Sequence, residues 1–423
     1  MERGDYLAPY RCLKTSVKFK GETTNHVTTF SPPTAKPGDI LYIKFPSLKD
    51  ELIVPNSFAL TFDFKVVLDP SEPGSDVKTY PVNNLAANII SDFRVKLGSQ
   101  YIQELNYSHL FNTYKDLWLS KQNRKNRVYD GIQDLELRKI RTDTNTKLAP
   151  ITLPNLTLKN MYGIRYRIPI NFEIISAHMP ISGALLESDL TFELKINSIN
   201  NVLNYSNRET ANFEMKNICL EFDTIKDTIL YKEVERDLIA GTQFLFDHIH
   251  HYKREEIRKD ATFMNVEIQG IDRKSLKGIL LIFENEFSVG ERESEMFSNP
   301  TIKMVKYTID GLPNKHYSNG YRECDQWGEI SKQFIQEEFK LNQDINMDMP
   351  TYYAAHKFAL WTDLRSTEDN NLHGTGKMHE SKNVIKMEIT KNNHGEGKYI
   401  MHIYVVSDAR IIIKDKKLAS FEY

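Results

Sequence analysis

Apolar and polar residues alternate along many short segments of the chain, beginning with Phe58–Val67 (FALTFDFKVV). In that segment every second residue from Phe58 is apolar, whereas Asp63 and Lys65 would point to the other side. A period of two predicts a β-strand with one buried face. The same alternation recurs in four further segments: Phe93–Leu97, Leu190–Ile196, Ile279–Phe283 and Ile385–Ile389.

Three other segments depart from this alternation. Tyr399–Val406 (YIMHIYVV) is apolar on both faces, which predicts a central strand that is covered on both sides. His109–Gln122 and Gln326–Leu341 show helical spacing and predict amphipathic helices that pack on a barrel. The apolar side of the first helix would carry Leu110, Tyr114, Leu117 and Trp118, and that of the second Ile330, Phe334 and Phe339. The chain is therefore predicted to be all-β, with short inserted helices.

The predicted strands fall into two sets without a Pro/Gly/Ser-rich linker between them, which predicts two tightly joined domains. We assign residues 1–39 to an N-terminal arm, 40–225 to a first β-barrel and 226–423 to a second. The arm is expected to reach a neighbouring subunit or a minor protein. The long polar intervals 119–165 and 284–350 are expected to be insertions that project from one end of a barrel.

Charge and cysteine content narrow the classes of function. The 55 basic and 57 acidic residues leave a net charge of −2, so no strong direct binding to nucleic acid is expected. The most basic stretch, Lys121–Arg127, is interpreted as a solvated loop. Cys12, Cys219 and Cys324 form no disulfide framework, and Cys219 is expected to be a small core residue. With no signal-like segment and no apolar run long enough to span a membrane, we expect synthesis in a reducing compartment inside the cell.

Motifs that could carry chemistry each have a simpler interpretation. The histidines His248, His250 and His251 could bind a metal, but a polar strand face is the preferred interpretation. The carboxylates Glu284, Glu286, Glu291, Glu293 and Glu295 are interpreted as solvated rather than as a glycosidase pair. His373–Gly376 (HGTG) lacks the context of an oxyanion hole, and Gly395–Gly397 is interpreted as a hairpin turn. We therefore predict no catalytic, cofactor-binding or metal-binding residues, and no enzyme activity.

Longer strings, in a preserved order over about residues 50–420, resemble double jelly-roll major capsid proteins. The similarity is greatest to those of Polinton/Maverick elements and adintoviruses, in the wider lineage of adenovirus hexon and virophage capsid proteins. The end of the chain matches best, through an aromatic strand, a loop and the last two strands. The strings are Pro81–Trp118, Ile168–Asn197, Leu276–Pro300, Ile302–Tyr317, Tyr352–Ile389 and Tyr399–Tyr423.

This resemblance implies two tandem eight-stranded jelly-roll barrels and a structural role in the virion. It implies a homotrimer that forms a pseudo-hexagonal capsomer and tiles an icosahedral shell assembled inside the host cell, in the nucleus or the cytoplasm. The implied partners are neighbouring capsomers and the penton and minor capsid proteins. Three alternatives stay open: a minor or vertex capsid protein, a β-sandwich carbohydrate-binding module, and a β-rich hydrolase with a carboxylate pair inside a cleft.

Overall fold

The computed structural model describes most of the 423 residues. The described ranges are 22–68, 80–133, 152–153, 156–157, 165–177, 179–204, 211–285, 294–309, 311–313, 319–335, 347–367 and 372–423. Within them the chain folds into antiparallel sheets with a few helices, as the alternation predicts.

The first half forms an eight-stranded jelly roll. One sheet has the order β1-β13-β4-β10 and the other the order β2-β11-β6-β7, so strands distant in sequence are neighbours. The strands of this half are β1 (Glu22–Thr29), β2 (Ile40–Lys44), β3 (Leu52–Ile53), β4 (Ala59–Leu68), β5 (Tyr80–Pro81), β6 (Ile90–Leu97), β7 (Gln100–Leu105), β8 (Thr152–Leu153), β9 (Leu156–Thr157), β10 (Arg165–Pro169), β11 (Leu190–Ile196), β12 (Leu203–Asn204) and β13 (Ala211–Lys226).

The second half repeats this topology. Its sheets have the orders β14-β23-β16-β20 and β15-β22-β17-β18, which correspond strand by strand to those of the first barrel. The strands are β14 (Thr242–Arg258), β15 (Phe263–Ile268), β16 (Arg273–Asn285), β17 (Ile302–Ile309), β18 (Leu312–Pro313), β19 (Tyr321–Arg322), β20 (Ala359–Asp363), β21 (Lys377–His379), β22 (Ile385–Lys391), β23 (Lys398–Lys414) and β24 (Lys417–Glu422). The prediction of two tandem jelly rolls is confirmed.

Helices lie between the strands. They are α1 (Leu85–Asn88), α2 (Ser108–Leu117), α3 (Lys121–Asn126), α4 (Glu173–Ser176), α5 (Ile199–Val202), α6 (Thr228–Ala240), α7 (Glu323–Phe334) and α8 (Met349–Ala354). The helix α6 joins the barrels. It begins at Asp227, whose carboxylate accepts the backbone N–H bonds of Ile229 and Leu230, and it ends at Gly241 with a φ of 122°.

The periodic segments are all strands, although Ile279–Phe283 in β16 is buried on both faces and not on one as predicted. Along β4, the apolar residues of the alternation from Phe58 to Val66 are buried, whereas Asp63 and Lys65 are half-buried. Tyr399–Val406 lies in β23, which has β14 on one side and β16 on the other, and its side chains on both faces are mostly buried. The two predicted helices correspond to α2 and α7, although Phe339 of the second prediction lies outside the described residues.

Two boundaries differ from those that the sequence suggested. Residues 22–29 of the predicted arm form β1, which pairs with β13 over eight residues, so the first barrel starts before residue 40. The rest of the arm up to residue 21, with Cys12, lies outside the described residues. The interval 284–350 is not simply an insertion, because it contains β17, an inner strand of the second barrel. Much of the interval 119–165 lies outside the described residues.

Each half of the chain contributes side chains to the core of the other. Helix α2 of the first half places Leu110, Phe111, Tyr114 and Leu117 in the same apolar cluster as the second barrel. In return, α6, the start of β14 and the end of β23 pack into the core of the first barrel. The residues that do so are Leu230, Val234, Leu238, Phe244, Phe246, Ala409, Ile411 and Ile413. The two jelly rolls are therefore interlocked.

Candidate functional site

The seam between the barrels combines hydrogen bonds, stacked aromatic rings and ion pairs. Strand β7 of the first barrel lies beside β14 of the second, and the Gln103 Nε2 donates to the Ile249 carbonyl at 2.7 Å. At the corner between β7 and α2, Tyr107 has a φ of 52°, and its carbonyl accepts a bond from the Tyr404 hydroxyl at 2.9 Å. A non-glycine residue with positive φ is held there by its surroundings.

Aromatic rings extend this seam along α2. The Phe111 ring lies 5.5 Å from that of Tyr404 in β23, and the Tyr114 ring lies 5.2 Å from that of Phe297. Trp118 stacks on Trp327 of α7 at 5.6 Å. Such pairs add to the stabilisation from burial alone, so α2 acts as a buried cover on the second barrel.

The three candidate histidines face different surroundings. His248 stacks on Tyr423 at 5.1 Å, and burial together with the charges of Arg273 and His250 lowers its pKa to about 3. His251 Nε2 lies 3.2 Å from His402 Nδ1, and burial and the charge of His402 lower its pKa to about 3. Burial and the charge of Arg273 also lower the pKa of His250. Among the described residues, these histidines belong to no group of three ligand side chains.

One group of potential ligands does occur within the described ranges. Ligand atoms of Asp247, His373 and Asp408 all lie within 4.8 Å of one another. The buried Lys277 ammonium lies 2.8 Å from the Asp247 carboxylate and 3.6 Å from that of Asp408, so the protein supplies the cation here itself. Burial favours a higher pKa for Asp408, but bonds from His373 and Ser275 and the charge of Lys277 lower it overall.

This ionic cluster explains the position of the HGTG motif. His373 Nδ1 lies 2.9 Å from Asp408, and the Gly374 N–H donates to the same carboxylate at 2.9 Å. The Gly376 N–H donates to Ser275 at 2.9 Å. These backbone donors are engaged with β16 and β23, so the motif anchors a loop to the second barrel.

Several of the candidate charged residues are paired and partly buried. Lys121–Arg127 is not a solvated loop, because it contains α3 and places Arg124 2.7 Å from Glu295. Both of these side chains are at most 12% exposed, so Glu295 is not solvated either. Arg127 pairs with Asp116 at 2.7 Å and also with Asp130. The sequence does not reveal the Arg124–Glu295 pair because its members are 171 residues apart.

Three further assignments can be compared with the structure. Glu284 bonds His402 at 3.2 Å, while Glu286, Glu291 and Glu293 lie outside the described residues. The hairpin assignment for Gly395–Gly397 is wrong, because this turn connects β22 and β23, which belong to different sheets. Cys219 is not a core residue, since it is only partly buried and its thiol lies near the Asn217 carbonyl.

Comparison with solved structures identifies the fold. PBCV-1 VP54, as fitted into a reconstruction of the virophage Sputnik, has a TM-score of 0.58 and 10% identity, over 96% of this chain and 98% of that one. The Faustovirus major capsid protein has a TM-score of 0.53 and 8% identity, over 97% of each chain. The mavirus major capsid protein has a TM-score of 0.52 and 7% identity, over 94% of this chain and 89% of that one.

No protein-family model matches the chain, and no curated protein matches it. At these identities the likeness establishes the fold, a double jelly roll. The narrower resemblance to Polinton/Maverick and adintovirus proteins stays a prediction. Among the described residues, no helix is long and apolar enough to cross a membrane. The chain thus has the double jelly-roll architecture of virus major capsid proteins over nearly its full length.

Proposed function

We propose that this protein is a virus major capsid protein with a structural rather than an enzymatic role. The observation that supports it is the tandem pair of jelly rolls with identical strand order, interlocked through α2 and α6 into one block. Three such chains around a closed three-fold axis give six barrels in a ring, a shape that tiles a flat facet. The protein would lie in the virion shell, beside neighbouring capsomers and the penton and minor capsid proteins.

The seam within the chain indicates how two chains would meet. It joins the β7 side of the first barrel to the β14 side of the second. In a ring of six similar barrels, the β1 and β2 edge of the first barrel would face the β18 and β19 edge of a neighbouring copy. This edge exposes apolar side chains, with Val27 58% and Tyr42 65% exposed. Exposed apolar residues on open strand edges are features of contact surfaces.

Light scattering coupled to negative-stain imaging tests the proposal. We expect particles of three times 49.2 kDa with hexagonal outlines, or shells built from them. Pentamers would instead favour a vertex protein. A monomer stabilised by glycans would favour a carbohydrate-binding module, and either result would contradict the proposal.

A pair of variants locates the contact between chains. Tyr42→Asp places a charge on the β2 edge and should shift trimers towards monomers without unfolding the barrel, because the side chain is already largely exposed. Ile229→Asp, at a position 74% exposed on α6, is the matched control and should remain trimeric. Equal behaviour of the two variants would show that the β2 edge lies outside the interface.

A further inference from the structure

Arg273 carries a buried positive charge that forms no salt bridge with the described residues. The residue is 7% exposed. Its Nη1 donates to the Asp272 carbonyl at 2.6 Å, and its guanidinium lies 4.2 Å from the centre of the Tyr423 ring. Its Nε is buried without an acceptor. Because a buried charge is costly unless it is paired, this arrangement favours the binding of a counter-ion.

The carboxylates around Arg273 have other partners. Glu422 is held by Arg410 at 2.6 Å and by Lys274 at 3.1 Å, and Glu380 is held by Lys382 at 2.6 Å. Asp272 accepts a backbone N–H bond across the turn. Burial lowers the pKa of Arg273 and outweighs the charges of Tyr423 and Asp272, which favour the charged guanidinium. The effect of the guanidinium charge reaches β14, where it contributes to the lowered pKa values of His248 and His250.

Arg273 lines an open cleft of about 430 Å³ at the seam between the barrels. Gln100 of the first barrel forms one side, and Lys274, His379 and Tyr423 of the second barrel line the rest. The Tyr423 ring covers one face of the guanidinium, and Nη1 is engaged with Asp272. The donors Nε and Nη2 remain along one edge, and such an edge binds two oxygens of a carboxylate or phosphate side by side.

We propose that this cleft binds an oxyanion, a carboxylate or phosphate group, through Nε and Nη2 of Arg273. Lys274 lines the same cleft, where its ammonium is paired with Glu422. The site does not depend on the proposed capsid role. A carboxylate would come from a protein side chain or chain terminus, and a phosphate from a free or polymer-bound phosphate. Both present the oxygen pair that the guanidinium edge accepts, and separate probes distinguish them.

Thermal unfolding of the full chain in phosphate, acetate or chloride at matched ionic strength tests the site. We expect phosphate or acetate to raise the midpoint above that in chloride, because an anion that binds only the folded state stabilises it. A larger effect of acetate would indicate a carboxylate ligand, and a larger effect of phosphate a phosphate ligand. Equal midpoints in all three salts would overturn the proposal.

Variants separate this site from general salt effects. Calorimetric titration with the more effective anion should show binding at least about tenfold weaker in Arg273→Met, because charge-assisted bonds are lost. Arg273→Lys keeps the charge but loses the two-donor edge, so its affinity should be intermediate. Arg236→Met on α6, at a side chain that is 74% exposed, is the control and should bind as the native chain does. Unchanged affinity in Arg273→Met would refute the assignment.

A measurement on the unaltered protein covers the case in which Arg273→Met does not fold. The pKa of His248, followed by NMR, should rise when the anion binds, because the charge of Arg273 that lowers it is then compensated. The exposed His356 serves as the internal reference and should not respond. A His248 pKa that is insensitive to a saturating anion would contradict binding at Arg273.

Discussion

Replacing Phe111 with alanine tests whether the two barrels are interlocked. Phe111 belongs to the first half of the chain, yet it is 5% exposed and packs against Tyr404 of the second barrel. A buried phenylalanine removes about 150–200 Å² from water, worth about 4–5 kcal/mol at about 25 cal/mol per Å². Because α2 can relax into part of the space, we expect a loss of about 3 kcal/mol in unfolding free energy.

Hydrogen exchange identifies the strands that Phe111→Ala destabilises. In Phe111→Ala, amide protection should fall in β16 and β23 of the second barrel, whereas β4 of the first barrel should be less affected. Asn112→Ala, at the next and exposed position of α2, is the matched control and should change stability by less than about 0.5 kcal/mol. Loss of protection confined to α2 itself, or a cost below about 1 kcal/mol, would refute the interlock.

Three further predictions concern single residues. A Cβ at Gly278 would lie 2.3 Å from the Trp361 ring, so Gly278→Ala should lower the melting temperature. Gly328 lies in open space on α7, so Gly328→Ala is the control and should raise the free energy of unfolding by about 0.5–1 kcal/mol. The pKa of His248 is about 3 in the folded state and 6.5 in the unfolded state. The contribution of His248 to the free energy of unfolding is therefore complete above pH 6.5 and is lost as the pH falls towards 3. At about pH 5 this loss amounts to about 2 kcal/mol. In denaturant titrations, His248→Gln should therefore make the free energy of unfolding less dependent on pH. A variant with the same pH profile as the native chain would contradict this role of His248. Asp227→Ala should lower the free energy of unfolding by about 1 kcal/mol in the same titrations, because the hydrogen bonds to the first turn of α6 are lost. An unchanged free energy of unfolding would mean that these hydrogen bonds do not stabilise the helix.

Local patterns were sufficient to predict the strands, because their side chains need only one buried face. The alternation in β4 and β11 follows directly from the buried and exposed sides of each strand. The two-sided apolar character of Tyr399–Val406 correctly indicated a strand covered on both faces. Jelly-roll pairing itself was reached through the resemblance, since partners such as β1 and β13 lie almost the whole first half apart.

The contacts that join the barrels could not be predicted from spacing alone. Tyr107 and Tyr404 are 297 residues apart, and nothing in the spacing of either segment indicates that the two residues meet. One signal was present in the sequence of α2, where Phe111 is apolar although it lies outside the predicted apolar side, and the structure buries it. A helix that is apolar on more than one side must be covered by more than one part of the protein, so the wider apolar surface of α2 indicated that it packs on more than the first barrel.

The two jelly rolls share a topology but differ in what covers their sheets, which makes their positions in an assembly distinct. In the second barrel, the sheet of β16 and β23 is covered by α2, and its side chains are buried on both faces. In the first barrel, the corresponding β4 carries Asp63 and Lys65 on its outer face, with Arg165 paired to Asp63 across the sheet. A ring built from such chains would therefore alternate a covered sheet with a charged one.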